Sequence, residues 1–255
     1  MRNTSRVLAG AASLAALSPL ERTVQAQPSF PTDGLVRYYN FDEGQGTIAS
    51  DLTGNHPLTV SDSWTLQGKL NSAYVPNGNN YNTSHNPFNQ PELSLNFWMK
   101  RTAPWSNYNS IIGTGNGNGT FILGTAGTQS LYLGLNQISP GVNFNFDGNY
   151  HMLTLAIADG NQRFYIDGAQ QLSFSLPFSF GDKAVKIFGG LGGLSPNNIM
   201  NVDELAIWNR FLKPSDISDL YNKGQGLSCP LPEPSTIALT VGSAALLAPR
   251  RRKSN

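Results

Sequence analysis

The acidic residues set the first limits on the chemistry of this chain. Among its 16 Asp and Glu residues, the tightest pairs are Asp42-Glu43 and Asp203-Glu204. Hydrolysis of a glycosidic bond needs two carboxyl groups about 5 to 9.5 Å apart across one cleft. Neighbours along a strand point to opposite faces, so neither pair meets that need. His56, His85 and His151 have no metal-binding spacing, and no Gly-x-Ser-x-Gly elbow is present. His151 falls in an alternating apolar run, where packing is the expected role, because the sequence supplies no partner to orient it as a base. No catalytic residue is assigned. A non-catalytic function is expected, with a glycan hydrolase or lyase using scattered loop carboxylates as the alternative and a structural matrix protein as a second.

Binding chemistry is better supplied. Asp203, Leu205 and Ile207 share one parity, so a strand that buries the two aliphatics buries the carboxylate as well. A buried carboxylate needs a counter-charge or hydrogen-bond donors. Calcium, which takes about six to eight oxygen ligands, would be one answer, and a salt bridge or a set of donors without metal the other. Two polar stretches carry aromatics beside amides, the pattern that seats a sugar ring and fixes its orientation. One holds Tyr81, Asn82 and His85, and the other Trp105, Tyr108 and Asn109. Cys229 is the only cysteine, so no intramolecular disulfide can form, and its place near the end reads as a surface position in a linker.

The charge balance excludes one class of partner. Seven of the 17 basic residues lie in the terminal segments, leaving ten against 14 acidic residues once Glu21 and Glu233 are set aside. The central part thus carries about −4, the wrong sign for nucleic acid, which is met by a basic patch.

Both ends read as addresses. Arg2 and Arg6 precede the apolar run Val7 to Leu17, and Val24-Gln25-Ala26 supplies small residues where a signal peptidase cuts. Residues 1–26 are therefore read as a signal peptide cleaved after Ala26, and residues 27–32 as a short linker. At the other end, Pro232-Glu233-Pro234-Ser235-Thr236 leads into the apolar run Ile237 to Ala248 and then Arg250-Arg251-Arg252-Lys253. A basic cluster is held on the cytoplasmic side while an apolar run enters the bilayer. The run has 12 residues, short of the roughly 20 that span the hydrocarbon, so a transient membrane association is expected. Residues 227–255 resemble the PEP-CTERM sorting signal. The resemblance implies recognition of Pro232, Glu233 and Pro234 by an exosortase-type processing enzyme, and delivery to the cell envelope, surface or extracellular matrix of a bacterial-type cell.

Between the ends, the elements that must position these residues are strands. Asp-Gly and Asn-Gly corners recur at Asp33, Asn77, Asn116, Asn118, Asp147, Asp159 and Asp167, separating short β-rich runs. Leu93, Leu95 and Phe97 share one face of a strand, and His151, Leu153, Leu155 and Ile157 one face of another. The sharpest hairpin runs from Arg163 to Phe174 around Asp167-Gly168. Pro214 to Tyr221 reads as the single helix, with Pro214 in its first turn and Gly224 as its stop. The fold class is all-β, a two-sheet antiparallel sandwich spanning 33–226 with one short C-terminal capping helix.

An ordered series of segments makes this more specific. It comprises Gly34 to Thr47, Asp51-Leu52-Thr53-Gly54-Asn55, Gly68 to Tyr74, Leu95 to Lys100, Phe164 to Gly168, and Val202 to Leu212. In this order they resemble the laminin G-like, concanavalin A-like jelly rolls. The resemblance implies a concave sheet that binds glycan or another surface component, and one structural calcium near Asp203 and the early Asp-x-x-Gly-Asn segment. Asp51, Asn55, Asp203 and Asp42 are the metal candidates on that basis. Glucanases of this fold carry a Glu-x-Asp-x-x-Glu strand, and no such spacing occurs here.

Overall fold

The computed structural model describes residues 27–54, 56–61, 63–77, 90–103, 109–114, 121–126, 130–132, 141–158, 160–175, 185–188 and 200–231. Along the chain the strands are β1 (Leu35–Tyr39), β2 (Ile48–Ala49), β3 (Leu58–Thr59), β4 (Trp64–Thr65), β5 (Ala73–Tyr74), β6 (Leu93–Arg101), β7 (Asn109–Thr114) and β8 (Phe121–Ala126). Then come β9 (Ser130–Tyr132), β10 (Gly141–Asn143), β11 (Tyr150–Ala158), β12 (Asn161–Ile166), β13 (Ala169–Phe174), β14 (Val185–Ile187) and β15 (Met200–Trp208), followed by helix α1 (Pro214–Tyr221). Among the described residues, an eight-stranded sheet runs β13-β12-β11-β6-β15-β5-β4, with β1 also on β15. A five-stranded sheet runs β10-β9-β8-β7-β14, and β2 and β3 form a small ladder. Every pairing is antiparallel.

Period-two alternation sorts the large sheet into two buried faces. Leu93, Leu95, Phe97 and Met99 of β6, Leu153, Leu155 and Ile157 of β11, and Phe164 and Ile166 of β12 pack against Ile111, Ile112, Leu123 and Leu131 of the other sheet. That is the jelly-roll core expected from the sequence. The opposite face is apolar too. Tyr38, Trp98, Met152, Tyr165, Ala206 and Trp208 lie there beneath Ile217 and Leu220 of α1. A central sheet buried on both sides explains why β15 is buried at all nine positions.

Local chemistry closes the elements as the sequence foretold. The β12–β13 hairpin turns on Asp167 (φ 53°) and Gly168 (φ 76°), two consecutive left-handed residues that fit the twist of the flanking strands. Helix α1 starts with Pro214 at its first turn and Asp216 bonding back to the Lys213 amide. It stops at Asn222 (φ 44°), and a 3₁₀ turn, Asn222–Gly224, follows, so the stop comes before Gly224 rather than at it. No helix among the described residues is long and apolar enough to cross a membrane.

The described residues on both sides of 33–226 pack on the sandwich, which widens the folded unit. Phe30 stacks on Trp208 at 5.9 Å and meets Tyr38 edge-on at 5.4 Å, while the Trp208 indole donates to the Pro31 carbonyl at 2.6 Å. Cys229 is buried, not on the surface, and its amide donates to the Tyr38 hydroxyl at 3.1 Å. Burial pushes its thiol up to about 11. The linker at 27–32 thus docks from Phe30 onward, and the segment 226–231 forms a strap across the outer face of the large sheet.

Candidate functional site

The acid pair on β15 is not split between two faces. Val202 pairs with Met99 and Asp203 with Trp98, but the next rung is Ala206 with Asn96. Two residues, Glu204 and Leu205, therefore stand where regular pairing has one, and Glu204 takes φ 54°. This is a β-bulge. It leaves Val202, Leu205 and Ile207 in the core between the sheets and turns both Asp203 and Glu204 toward the helix side. The expectation that Asp203 shares a face with Leu205 and Ile207 is corrected by that one extra residue.

Each carboxylate then meets its own partners. Glu204 accepts the Tyr38 hydroxyl, and that same hydroxyl receives the amide of Cys229. Burial, then Glu204, push the Tyr38 hydroxyl far above its usual range, so it remains a donor. Asp203 Oδ2 accepts the amides of Lys69 at 2.7 Å and Leu70 at 3.0 Å, and Oδ1 accepts the amide of Glu204 at 2.9 Å. Burial pushes this carboxyl up to about 8, with the amides of Leu70 and Lys69 pulling the other way and Asp42 adding to the rise.

The amides come from a tight turn, residues 68–72, gripped from its other side by Asp42. Asp42 Oδ1 accepts the Ser72 amide at 3.1 Å, and Oδ2 accepts the side-chain amides of Asn40 and Asn71, both at 3.0 Å. Gly68 makes the turn possible, since a Cβ there would fall 2.3 Å from the Ser72 carbonyl oxygen. Lys69 extends over Trp98 at 4.4 Å and donates to the Gly224 carbonyl, tying the turn to the end of the helix. Asp51 is held elsewhere. Its Oδ1 accepts the amides of Tyr38 and Thr53 and the Thr53 hydroxyl, and its Oδ2 lies 3.8 Å from Arg37 Nε.

The metal candidates Asp42 and Asp203 turn their oxygens to N–H groups in this arrangement. Among the described residues no three His, Cys, Asp or Glu side chains converge as a metal centre requires. Of the expected clip of Asp42, Asp51, Asn55 and Asp203, Asp42 and Asp203 grip one turn, while Asp51 is held by other partners. Asn55 itself lies outside the described residues.

A second cluster sits at one end of the sandwich and has an exposed side. His151, at the start of β11, faces Asp167 Oδ2 at 2.7 Å through Nδ1 and Asp147 Oδ1 at 3.1 Å through Nε2. Phe144 and Phe146 present ring edges to it at 4.8 and 5.7 Å. The hydrogen bond to Asp167 raises the imidazole pKa, burial opposes this, and Asp147 adds to it. Asp147 itself is lowered to about 2, chiefly by the amide and side chain of Asn149. With a carboxylate facing each nitrogen, the charged form of the ring is favoured. Beside it Tyr150 donates to the Gln67 carbonyl at 2.9 Å and lies 5.9 Å from Lys100 Nζ.

The two aromatic and amide sets start from opposite ends of one strand. Tyr81, Asn82 and His85 precede β6, while Trp105 and Tyr108 follow it; these five lie outside the described residues. Asn109 opens β7, and nothing further is assigned to its side chain. Nine residues of β6 cover about 27 Å at roughly 3.4 Å per step. The end of β6 lies beside Tyr150, since Lys100 pairs with Tyr150 and Arg101 donates to the Phe146 carbonyl. Ala26, Pro232, Glu233 and Pro234 also fall outside the described residues.

No curated protein matches the chain. Among solved structures, the sialidase of Trypanosoma rangeli in complex with sialic acid is similar at 16% identity and a TM-score of 0.62, covering 78% of this chain and 35% of that one. The chain thus spans about a third of that protein's length. Domain 4 of an extracellular arabinanase from Geobacillus stearothermophilus, in complex with arabinotriose, is similar at 20% identity and a TM-score of 0.58, covering 72% of this chain and 97% of that one. At such identities the likeness is one of fold. The model of the concanavalin A-like lectin/glucanases superfamily matches residues 75–218, more than half of the chain, and the chain belongs to that superfamily.

Proposed function

We propose that this protein is an exported recognition module that binds glycan without cleaving it. The carrying observation is the match to the arabinanase domain, which covers 97% of a unit solved with arabinotriose. A chain of this fold and size is sufficient to hold an oligosaccharide. The site proposed is the end of the sandwich where β6 leaves and β11 begins. There Tyr150, Lys100, Asn149 and Asp147 offer a ring and polar groups, and the chain continues into Trp105, Tyr108 and Asn109. Aromatic surface with a few fixed polar groups is what sugar recognition requires. The non-catalytic reading is supported by Asp203 and Glu204, 0% and 3% exposed, the first buried against the 68–72 turn and the second tied through Tyr38 to the strap.

The reading includes the termini. A signal peptidase would cut after Ala26, and an exosortase-type enzyme would recognise Pro232-Glu233-Pro234, leaving the sandwich at the cell envelope or in the extracellular matrix. A glycan array followed by calorimetry on the soluble domain tests the binding. The expected result is retention of an oligosaccharide class, lost in Tyr150→Ala. Release of reducing sugar from that ligand would move the protein to the enzymes, and a blank array would leave a structural matrix role.

A further inference from the structure

We propose that His151 is a pH-operated clamp on the loop before β11, holding the tip Asp147-Gly148-Asn149 against the sandwich while the imidazole is protonated and releasing it once the ring is neutral. The tip borders Tyr150, so the clamp regulates the rim proposed above to bind glycan, and that consequence rests on the glycan reading. The residues on either side of the tip are fixed. Phe146 is buried, with its carbonyl accepting from Arg101 at 3.1 Å, and Tyr150 opens β11. The tip itself is bonded mainly to itself. Asp147 accepts the amide and the side chain of Asn149, both at 2.9 Å, and a Cβ on Gly148 would meet nothing within 4 Å. Among the described residues, the one side-chain hydrogen bond from the tip to the rest of the fold joins Asp147 Oδ1 to His151 Nε2 at 3.1 Å.

An imidazolium donates from both nitrogens, whereas a neutral ring has a single N–H. The charged ring can serve Asp167 and Asp147 together. Loss of one proton leaves a lone pair facing a carboxylate on one side. Asp167 keeps the remaining N–H: its contact is shorter, at 2.7 Å, and its other oxygen is fixed by the Met152 amide at 2.9 Å. Its side chain is also less exposed, 27% against 51% for Asp147. The repulsion therefore falls on Asp147, the partner able to turn to water. The other charged or titratable groups of this cluster, among the described residues, are Lys69 and Tyr221, which act on Asp167 from the helix side, and Arg101 on the Phe146 carbonyl. Asp147, lowered to about 2, stays ionised, so the imidazole is the group here that titrates nearest neutrality. The hydrogen bond to Asp167 raises it above its ordinary value of about 6.5. The clamp is closed below that folded value and opens as pH rises through it.

The test is nuclear magnetic resonance on the full chain without ligand, so its failure is separate from a failure of the glycan reading. Imidazole nitrogen shifts follow the His151 titration, and amide order parameters at Asp147 and Gly148 are read on both sides of its midpoint. The expected result is a neutral ring protonated at Nδ1, with order parameters falling from about 0.85 to below about 0.6 across that midpoint. Asp147→Asn removes the confrontation, because its amide can accept from the charged ring or donate to the neutral one, so the tip should stay ordered on both sides. Asp147→Ala should leave it mobile at every pH. Order parameters that do not change across the His151 midpoint, a neutral ring protonated at Nε2, or the same pH step in Asp147→Asn would each overturn the clamp.

Discussion

Two regions of this sandwich hold charged groups by opposite means. At the β15 bulge, Asp203 is buried against the 68–72 turn and served by backbone amides, and Glu204 is tied through a tyrosine to the strap. At the rim, His151 is served by two carboxylates, one of them exposed. In the first, burial dominates and works against the charge, raising Asp203 to about 8. In the second, hydrogen bonding to Asp167 dominates and works for the charge on His151. The difference teaches that a polar group inside an all-β core is kept for the donors it gathers, while one at the edge is kept for the ion pair it completes. Only the edge retains a face with which to meet a ligand.

The largest effect that can break this comparison is Asp203→Ala, which strands three amides in a buried turn. A loss of about 3–5 kcal/mol is expected, a fall of roughly 10 °C in the melting midpoint for a domain of this size. Asp203→Asn, which keeps an acceptor, should lose less than half of that. Equal losses would mean that the charge, not the amides, is what the site serves.

Next comes Tyr38→Phe, which leaves Glu204 buried without its hydroxyl donor and frees the Cys229 amide. About 2 kcal/mol is expected, measured by urea unfolding, together with faster exchange over 226–231. A strap that exchanges as slowly as before would show that Phe30, Leu231 and the helix hold it without the tyrosine.

A smaller effect is expected at the rim, and its sign sharpens the contrast. A folded His151 with a raised pKa stabilises fully below its unfolded value of about 6.5, and the contribution is lost as pH rises through the folded value. Asp203, also raised, makes folding harder as pH climbs from about 4 to 8. Asp147, lowered, contributes above about 4 and is lost as pH falls toward 2. His151→Asn should therefore cost about 1 kcal/mol at pH 6 and progressively less at higher pH. A difference that stays constant with pH would mean the imidazole acts by packing alone.

The smallest effect expected is none. EDTA should leave the melting midpoint where it was, because Asp42 and Asp203 are each held by three N–H groups of the protein. A fall restored by added calcium would overturn that account of the 68–72 turn.

Much of the scaffold was legible in the residues. Leu93, Leu95 and Phe97 alternate without interruption, Asp167-Gly168 can hardly be anything but a corner, and Pro214 with Ile217 and Leu220 marks a helix. The bulge was legible in principle. Met200 and Val202 are even, Leu205 and Ile207 odd, and the slip between them is the extra residue. The partners of His151 were not, because Asp167 reaches it only through the pairing of β11 with β12, and a sequence does not state its register. Phe30 and Cys229 were missed for a similar reason: their burial depends on how much of the outer sheet face a short helix leaves uncovered.

The burial of the lone thiol has a consequence for the life of the molecule among its own kind. Two copies meeting under oxidising conditions find no sulfur to join, because the only one lies behind the strap. A covalent dimer can arise only between copies whose straps have already opened, so any such dimer recovered from a population would be a durable record of past unfolding.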